Sequence, residues 1–275
     1  MPELPEVETV ARHLRKTIVG KKLEGIRILD VRFADVQEKH DLVGRRVKTV
    51  KRRGKYLSLK LDDGWVLQLH MMMSGRILVR PREWQEDRFA RLILLFEDGL
   101  ELRFCDMRRF GRAWQLNELE HRKFHKRMGP EPLSATFTTV KMLKIMEGRS
   151  TALKTTLLNQ NVIAGIGNIY ADEALWRGRL HPLRPAGAIT MAEGARLYRG
   201  IRTALREGLK AGGTTFSDYR NAEGVKGNYQ LQLKVFQRTG QECFRCRNLI
   251  QRIRVGGRST HFCPVCQPRT VNPSG

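Results

Sequence analysis

Apolar residues recur three and four positions apart at the start of the chain. Leu4, Val7, Val10, Ala11, Leu14 and Ile18 fall on one stripe, and Gly20 follows it. This spacing predicts an amphipathic helix, with Pro5 in its first turn and Gly20 ending it. The period then changes. RRVKTVKRRGKYLSLKL alternates, LDDG turns, and WVLQLHMMM follows as an apolar run; RLILLF, EDG and LELRF together predict a hairpin. Residues 1–118 are therefore expected to form a β-rich domain with one leading helix, packed as a two-layer sandwich. The polar stretch 119–135 carries Gly129-Pro130 and Pro132 as breakers and is expected to link domains. Residues 136–235 form the second region. It is helical to about residue 211, punctuated by Gly165, Gly167, Gly178 and Pro182, and it ends in GGTTFSDYRNAEGVKGNYQLQLKV, which reads as a mobile loop. Residues 236–275 carry paired cysteines. The predicted class is α+β.

Length and charge sharpen this picture. A chain of 275 residues exceeds the usual single domain, so two domains, or two plus a small module, are expected. At 41% hydrophobic residues, ordinary cores are within reach. No stretch attains the roughly 18 apolar residues of a membrane span. Glu3, Glu6 and Glu8 interrupt any signal-peptide core, so a soluble, cytoplasmic protein without a membrane partner is expected. Lys plus Arg number 51 against 28 Asp plus Glu, a formal charge of +23. Such an excess favours a polyanionic partner, nucleic acid above all, over a merely basic solvated surface.

The cysteines carry the most specific chemistry. CFRCRNLIQRIRVGGRSTHFCPVC places Cys243, Cys246, Cys263 and Cys266 in a C-x2-C-x16-C-x2-C pattern. Two such pairs supply four thiolates to one tetrahedral Zn²⁺ and leave no open position, so the metal is structural. The intervening hairpin carries Arg247, Arg252, Arg254 and Arg258 and no acid, with Gly256-Gly257 at its tip; it suits DNA phosphates. A stabilising knuckle without a ligand is the plainer alternative. Cys105, in an apolar strand, reads as a core residue.

Other segments are ambiguous alone. Gly165-Ile166-Gly167-Asn168 is a weak dinucleotide motif and a better helix-joining turn, where backbone amides and Asn168 can hold a phosphate. Strand alternation sends Met72 to the opposite face from Met71 and Met73. CDMRRFG puts Arg108 and Phe110 at a strand end beside Gly111; a cation with an apolar wedge suits a base stack, although core filling and surface exposure also explain both segments. KRRGKY, with Lys55, reads as a solvated basic turn. Pro2, once Met1 is removed, carries a secondary amine able to form an iminium with an aldehydic carbon, and Glu3 is an adjacent acid/base. A frayed terminus is the ordinary alternative.

PELPEVETV, HMMMSG, DMRRFG, MGPEPL, NQNVIAGIGNIYADEAL, GGTTFSDY and the four-cysteine finger occur in this order. Together they resemble the bacterial formamidopyrimidine-DNA glycosylase family across essentially the whole chain. The resemblance implies an N-terminal β-sandwich, a helix–two-turn–helix domain and a zinc-finger hairpin. It implies excision of 8-oxoguanine and formamidopyrimidines from damaged double-stranded DNA, followed by β,δ-elimination, by a monomer at the nucleoid. By the same resemblance Pro2 is the nucleophile, Glu3 the proton shuttle, Lys55 a catalytic lysine near the lesion phosphate, and Arg258 a phosphate clamp that assists elimination. Asn168 binds phosphate. Met73, Arg108 and Phe110 fill the gap left by the extruded base, with Arg108 facing the orphaned cytosine. Arg149 and Lys154 join the DNA-binding set.

The chain departs from the family at three places. Arg88-Phe89-Ala90-Arg91 stands where KHDH is common, so Arg88 or Arg91 replaces a histidine contact. Ser217 stands where some members carry lysine, and NAEGVKGNYQ differs from the commoner lesion loop. Two rivals remain at this point: a relative preferring oxidised pyrimidines, and a non-catalytic finger protein that binds damage.

Overall fold

The computed structural model describes residues 2–35, 41–214 and 227–269. Ser217 and most of the expected lesion loop lie outside the described residues. The chain divides into two compact units, one of residues 1–127 with 208–230, the other of residues 128–207 with 231–275. The first is β-rich and the second helical with a terminal hairpin, giving the α+β class.

The first unit opens with α1 (Leu4–Thr17), whose predicted stripe is buried throughout. Among the described residues nine strands follow: β1 (Leu23–Ile28), β2 (Ala34–Asp35), β3 (Val47–Arg53), β4 (Tyr56–Leu61), β5 (Val66–His70), β6 (Arg76–Pro81), β7 (Ala90–Phe96), β8 (Leu100–Cys105) and β9 (Arg112–Leu116). They form a four-stranded sheet, β1-β7-β8-β6, and a five-stranded sheet, β2-β9-β5-β4-β3. Every pairing is antiparallel except β2 with β9. Leu57, Leu59, Leu67 and Leu69 from one sheet meet Ile77, Leu92, Leu94, Leu102 and Phe104 from the other in a single core, joined by Val7, Val10 and Leu14 of α1. Burying such side chains is the main favourable term.

β7 does not alternate because both its faces are covered. Leu92, Leu94 and Phe96 enter the main core, while Ile93 packs with Leu78, Ala90 and Cys105 on the other side. Cys105 is fully enclosed, and burial pushes its thiol up to about 12. The same outer face holds Arg103, 1% exposed, which is ion-paired to Glu101 at 2.7 Å and donates to the carbonyls of Trp84 and Gln85.

The segment expected as a linker begins with a helix, α2 (Glu118–His125), capped by Asn117. No residue of α2 is fully buried. It is held by side chains: Phe124 meets Tyr56 and Trp114, His121 pairs with Ser58, and His125 pairs with Gln68.

The second unit contains α3 (Thr139–Met146), α4 (Leu153–Leu158), α5 (Asn168–Gly178) and most of α6 (Met191–Lys210). A hairpin of β10 (Gln251–Val255) and β11 (Arg258–Phe262) follows. Gly256 and Gly257 make its turn with φ of +54° and +75°, a region that glycine enters at least cost. No helix among the described residues is long and apolar enough to cross a membrane.

Candidate active site and nucleic-acid interface

In the first unit, Pro2 and Glu3 are buried where α1 begins. The Glu3 amide donates to Glu6 Oε2 at 2.8 Å, and Glu6 Oε1 accepts the Thr214 amide at 2.7 Å. Glu6, 1% exposed, thus fixes both the terminus and the segment that leads out of α6. An acid three residues after a helix start is a readable capping signal, but its bond to Thr214 has no local signature.

Lys55 sits on the turn between β3 and β4 and is buried. Arg52 supports that turn. Its Nε pairs with Glu8 Oε2 of α1 at 2.9 Å, and its Nη1 donates to the Gly54 carbonyl at 3.1 Å. Burial raises the Glu8 pKa, but hydrogen bonds and charge from Arg15 and Arg52 outweigh that and hold it below the usual carboxylate value. KRRGKY is therefore not simply a solvated turn: one arginine anchors it to α1 and the lysine is enclosed. His70, at the end of β5, is pushed down to about 4 by burial and by the nearby charge of Lys55.

Met73, Arg108 and Phe110 are exposed on two turns of this unit. The strand alternation expected through Met71–Met73 stops at His70. Met71 is buried and both Met72 and Met73 are exposed, because Met72 turns the chain with φ of 49°. Arg88 is exposed with its guanidinium over the Phe89 ring at 5.2 Å. Arg91 is half-buried and donates to the Asp106 carbonyl at 3.0 Å.

In the second unit, Asn168 opens α5, and its Nδ2 donates to the Ser259 carbonyl on β11 at 3.0 Å. Its Oδ1 is buried without a partner. Arg258 is exposed at the hairpin turn, beside Arg252 and Arg254, and Arg149 is exposed after α3. Lys154 is different. It is wholly enclosed, with its ammonium ion-paired to Asp172 and donating to the Asn168 carbonyl. A lysine so held meets DNA only through the residues it positions. Next to Asp172, Glu173 accepts the backbone amides of Lys234, Val235 and Phe236, so α5 grips the segment entering the finger.

The four cysteine sulfurs lie within 4.8 Å of one another, with Cys243 and Cys266 at 3.9 Å and Cys246 and Cys263 at 3.4 Å. Tetrahedral bonds of about 2.3 Å set sulfur separations near 3.8 Å, so one Zn²⁺ fits. Trp176 Nε1 and the Arg245 amide donate to Cys243 Sγ, at 3.4 and 3.5 Å, as partners of a metal thiolate should. The cysteines form a structural zinc site.

Residues 1–113 match the family described as Formamidopyrimidine-DNA glycosylase N-terminal domain, and residues 128–220 match its H2TH domain. The chain belongs to the formamidopyrimidine-DNA glycosylase family. Residues 240–269 match the zinc finger found in FPG and IleRS. The family's glycosylase from Roseiflexus sp. is 44% identical over 97% of this chain and all of its own length. That from Heliobacterium modesticaldum is 46% identical with the same coverage. Among solved structures, a complex of Lactococcus lactis Fpg with abasic-site DNA superposes with a TM-score of 0.90, at 34% identity and covering 97% of this chain and 99% of its own. MutM from Thermus thermophilus gives 0.88 at 39% identity, covering 98% and 100%.

Proposed function

We propose that this chain excises oxidised purines from duplex DNA and then cleaves the strand, with Pro2 as nucleophile and Glu3 as proton donor. The observation that carries this reading is the burial of Pro2 and Glu3 at the head of α1. Terminal residues without a task usually fray.

Once Met1 is removed, the Pro2 amine attacks C1′ of the damaged nucleoside. The N-glycosidic bond breaks, and the base leaves with a proton supplied by Glu3. The amine loses its proton, the C1′–O4′ bond of the sugar ring breaks with a proton delivered to O4′ by Glu3, and the iminium so formed is an electron sink that acidifies the C2′ proton. Its removal expels the 3′ phosphate, and a second elimination expels the 5′ phosphate.

The target atom is inaccessible inside the stack, so the nucleotide must be extruded at a cost of a few kcal/mol. Met73, Arg108 and Phe110, exposed on neighbouring turns, are suited to fill the void, with Arg108 toward the unpaired base. Lys55, Asn168, Arg258, Arg149, Arg88 and Arg91 are assigned to phosphate contacts, and Lys154 to holding Asn168 in place. The charge of +23 supports action as a monomer retained on chromosomal DNA.

The test is borohydride trapping on a duplex with 8-oxoguanine opposite cytosine, followed by peptide sequencing. The expected result is a covalent adduct on Pro2. Intact DNA binding and a processed terminus without an adduct would assign the chain to damage binding alone.

A further inference from the structure

Asp106 is 1% exposed at the end of β8, and nothing in the reaction just described uses it. Its carboxylate nevertheless meets three donors from two different turns. Ser74 Oγ donates to Oδ1 at 2.5 Å; the Arg108 amide donates to Oδ1 at 3.1 Å and the Gly111 amide to Oδ2 at 2.6 Å. The main chain of Asp106 is fixed from a third side. Its amide donates to the Phe89 carbonyl at 2.8 Å, and its carbonyl accepts from Arg91 Nε.

The two turns share an unusual feature. Each holds a non-glycine residue with positive φ, Met72 at 49° and Arg109 at 57°. L-residues rarely adopt this conformation, and it persists only where the surroundings impose it. Met72 directly precedes Met73, and Arg109 separates Arg108 from Phe110. The Asp106 bonds bracket both. Ser74 lies two residues beyond Met72, and the amides of Arg108 and Gly111 straddle Arg109. One buried carboxylate therefore fixes the strained turns that aim all three wedge side chains.

We propose that Asp106 is a positioning residue for base extrusion: it locks the 71–75 and 106–111 turns together so that Met73, Arg108 and Phe110 enter the stack as one preset wedge. This rests on the reading of those three residues as the void-filling set. Turns that move independently must be ordered during insertion, and presetting them removes that entropic cost. The loss of Asp106 should therefore fall on extrusion and on reading of the opposite base, not on the elimination steps at Pro2.

The test uses the full-length protein in single-turnover reactions on two duplexes, one with 8-oxoguanine opposite cytosine and one with a preformed abasic site, which has no base to extrude. The readout is the ratio of the two rates. Asp106→Asn keeps the volume but turns one acceptor into a donor that faces another donor. The ratio is expected to fall about tenfold or more. Discrimination between cytosine and adenine opposite the lesion should fall with it, since Arg108 is misaimed. Ser74→Ala, which removes one bond at little risk to folding, should lower the ratio about threefold; it decides the matter if Asp106→Asn does not fold. Met73→Ala and Phe110→Ala are measured alongside. If those two lower the ratio while the Asp106 and Ser74 variants leave it unchanged, the positioning role is refuted and the wedge stands. If Met73→Ala and Phe110→Ala leave it unchanged, the wedge reading fails and the Asp106 role fails with it.

Discussion

Asp172 on α5 and His261 on β11 are joined by two hydrogen bonds to one oxygen, from the His261 amide at 3.0 Å and its ring Nδ1 at 3.1 Å. The other carboxylate oxygen takes the Lys154 ammonium, and both members of that ion pair are fully buried. The finger strand that carries Arg258 is thereby tied to the helix that begins at Asn168.

Removing one partner of such a pair leaves an uncompensated buried charge. Lys154→Ala should therefore destabilise the protein by about 3–5 kcal/mol, read from denaturant unfolding. Lys154→Met combined with Asp172→Leu should cost less than the sum of its two single changes, because no lone charge remains. Additive losses would mean that the pair does not act as a unit.

Gly111 is closely packed. A Cβ there would lie 2.7 Å from Phe33 and 3.0 Å from Phe104, two rings already set edge to face with centroids 4.5 Å apart. Gly111→Ala should lower stability by about 1–3 kcal/mol through overpacking, seen as a lower thermal midpoint. Gly64→Ala meets nothing within 4 Å, but its φ of +89° still strains an L-residue. It should cost about 1 kcal/mol.

Cys246→Ser removes one of four metal ligands. The protein should then no longer retain one zinc per chain by metal analysis, and DNA affinity should fall on the order of 10-fold or more as the finger arginines lose their scaffold. Wild-type affinity in a zinc-free variant would show that the finger is not a binding element.

His70 and His125 give the fold an acid limit. Both sit well below 6.5, at about 4. Burial is the main cause, joined by Lys55 for His70 and by His121 and Arg53 for His125. Between pH 6.5 and 4 the unfolded chain takes up protons that the folded chain refuses. Their contribution is therefore complete above pH 6.5 and is lost as pH falls toward 4. For His70, 8% exposed, this gap is worth about 3 kcal/mol. The urea midpoint should drop across that window, and His125→Gln should flatten the drop.

The sequence shows its elements where one period or spacing governs them. The α1 stripe, the β7–β8 hairpin and the four cysteines all emerge from local pattern, and motif order suffices for the family. Charged residues that act by long-range pairing are silent. Asp106 meets Ser74 across 32 positions, and Asp172 meets His261 across 89. No local pattern marks Arg103, Lys154 or Glu173 as buried. The chemistry of Pro2 is readable from its position, but its burial is not, since burial of a terminus depends on the fold built around it. Met72 misleads for the opposite reason: alternation implies a strand, but the chain has already turned.

Cys105 has a consequence for an enzyme of oxidative damage. Of the five cysteines, it alone is not a zinc ligand. Peroxide reacts with thiolates, and a thiol pushed up to about 12 stays protonated at neutral pH. Its enclosure between β6, β7 and β8 also bars the approach of a reagent. The same oxidants that create the lesions thus find no reactive sulfhydryl in the sandwich, and iodoacetamide should leave Cys105 unlabelled until the protein unfolds.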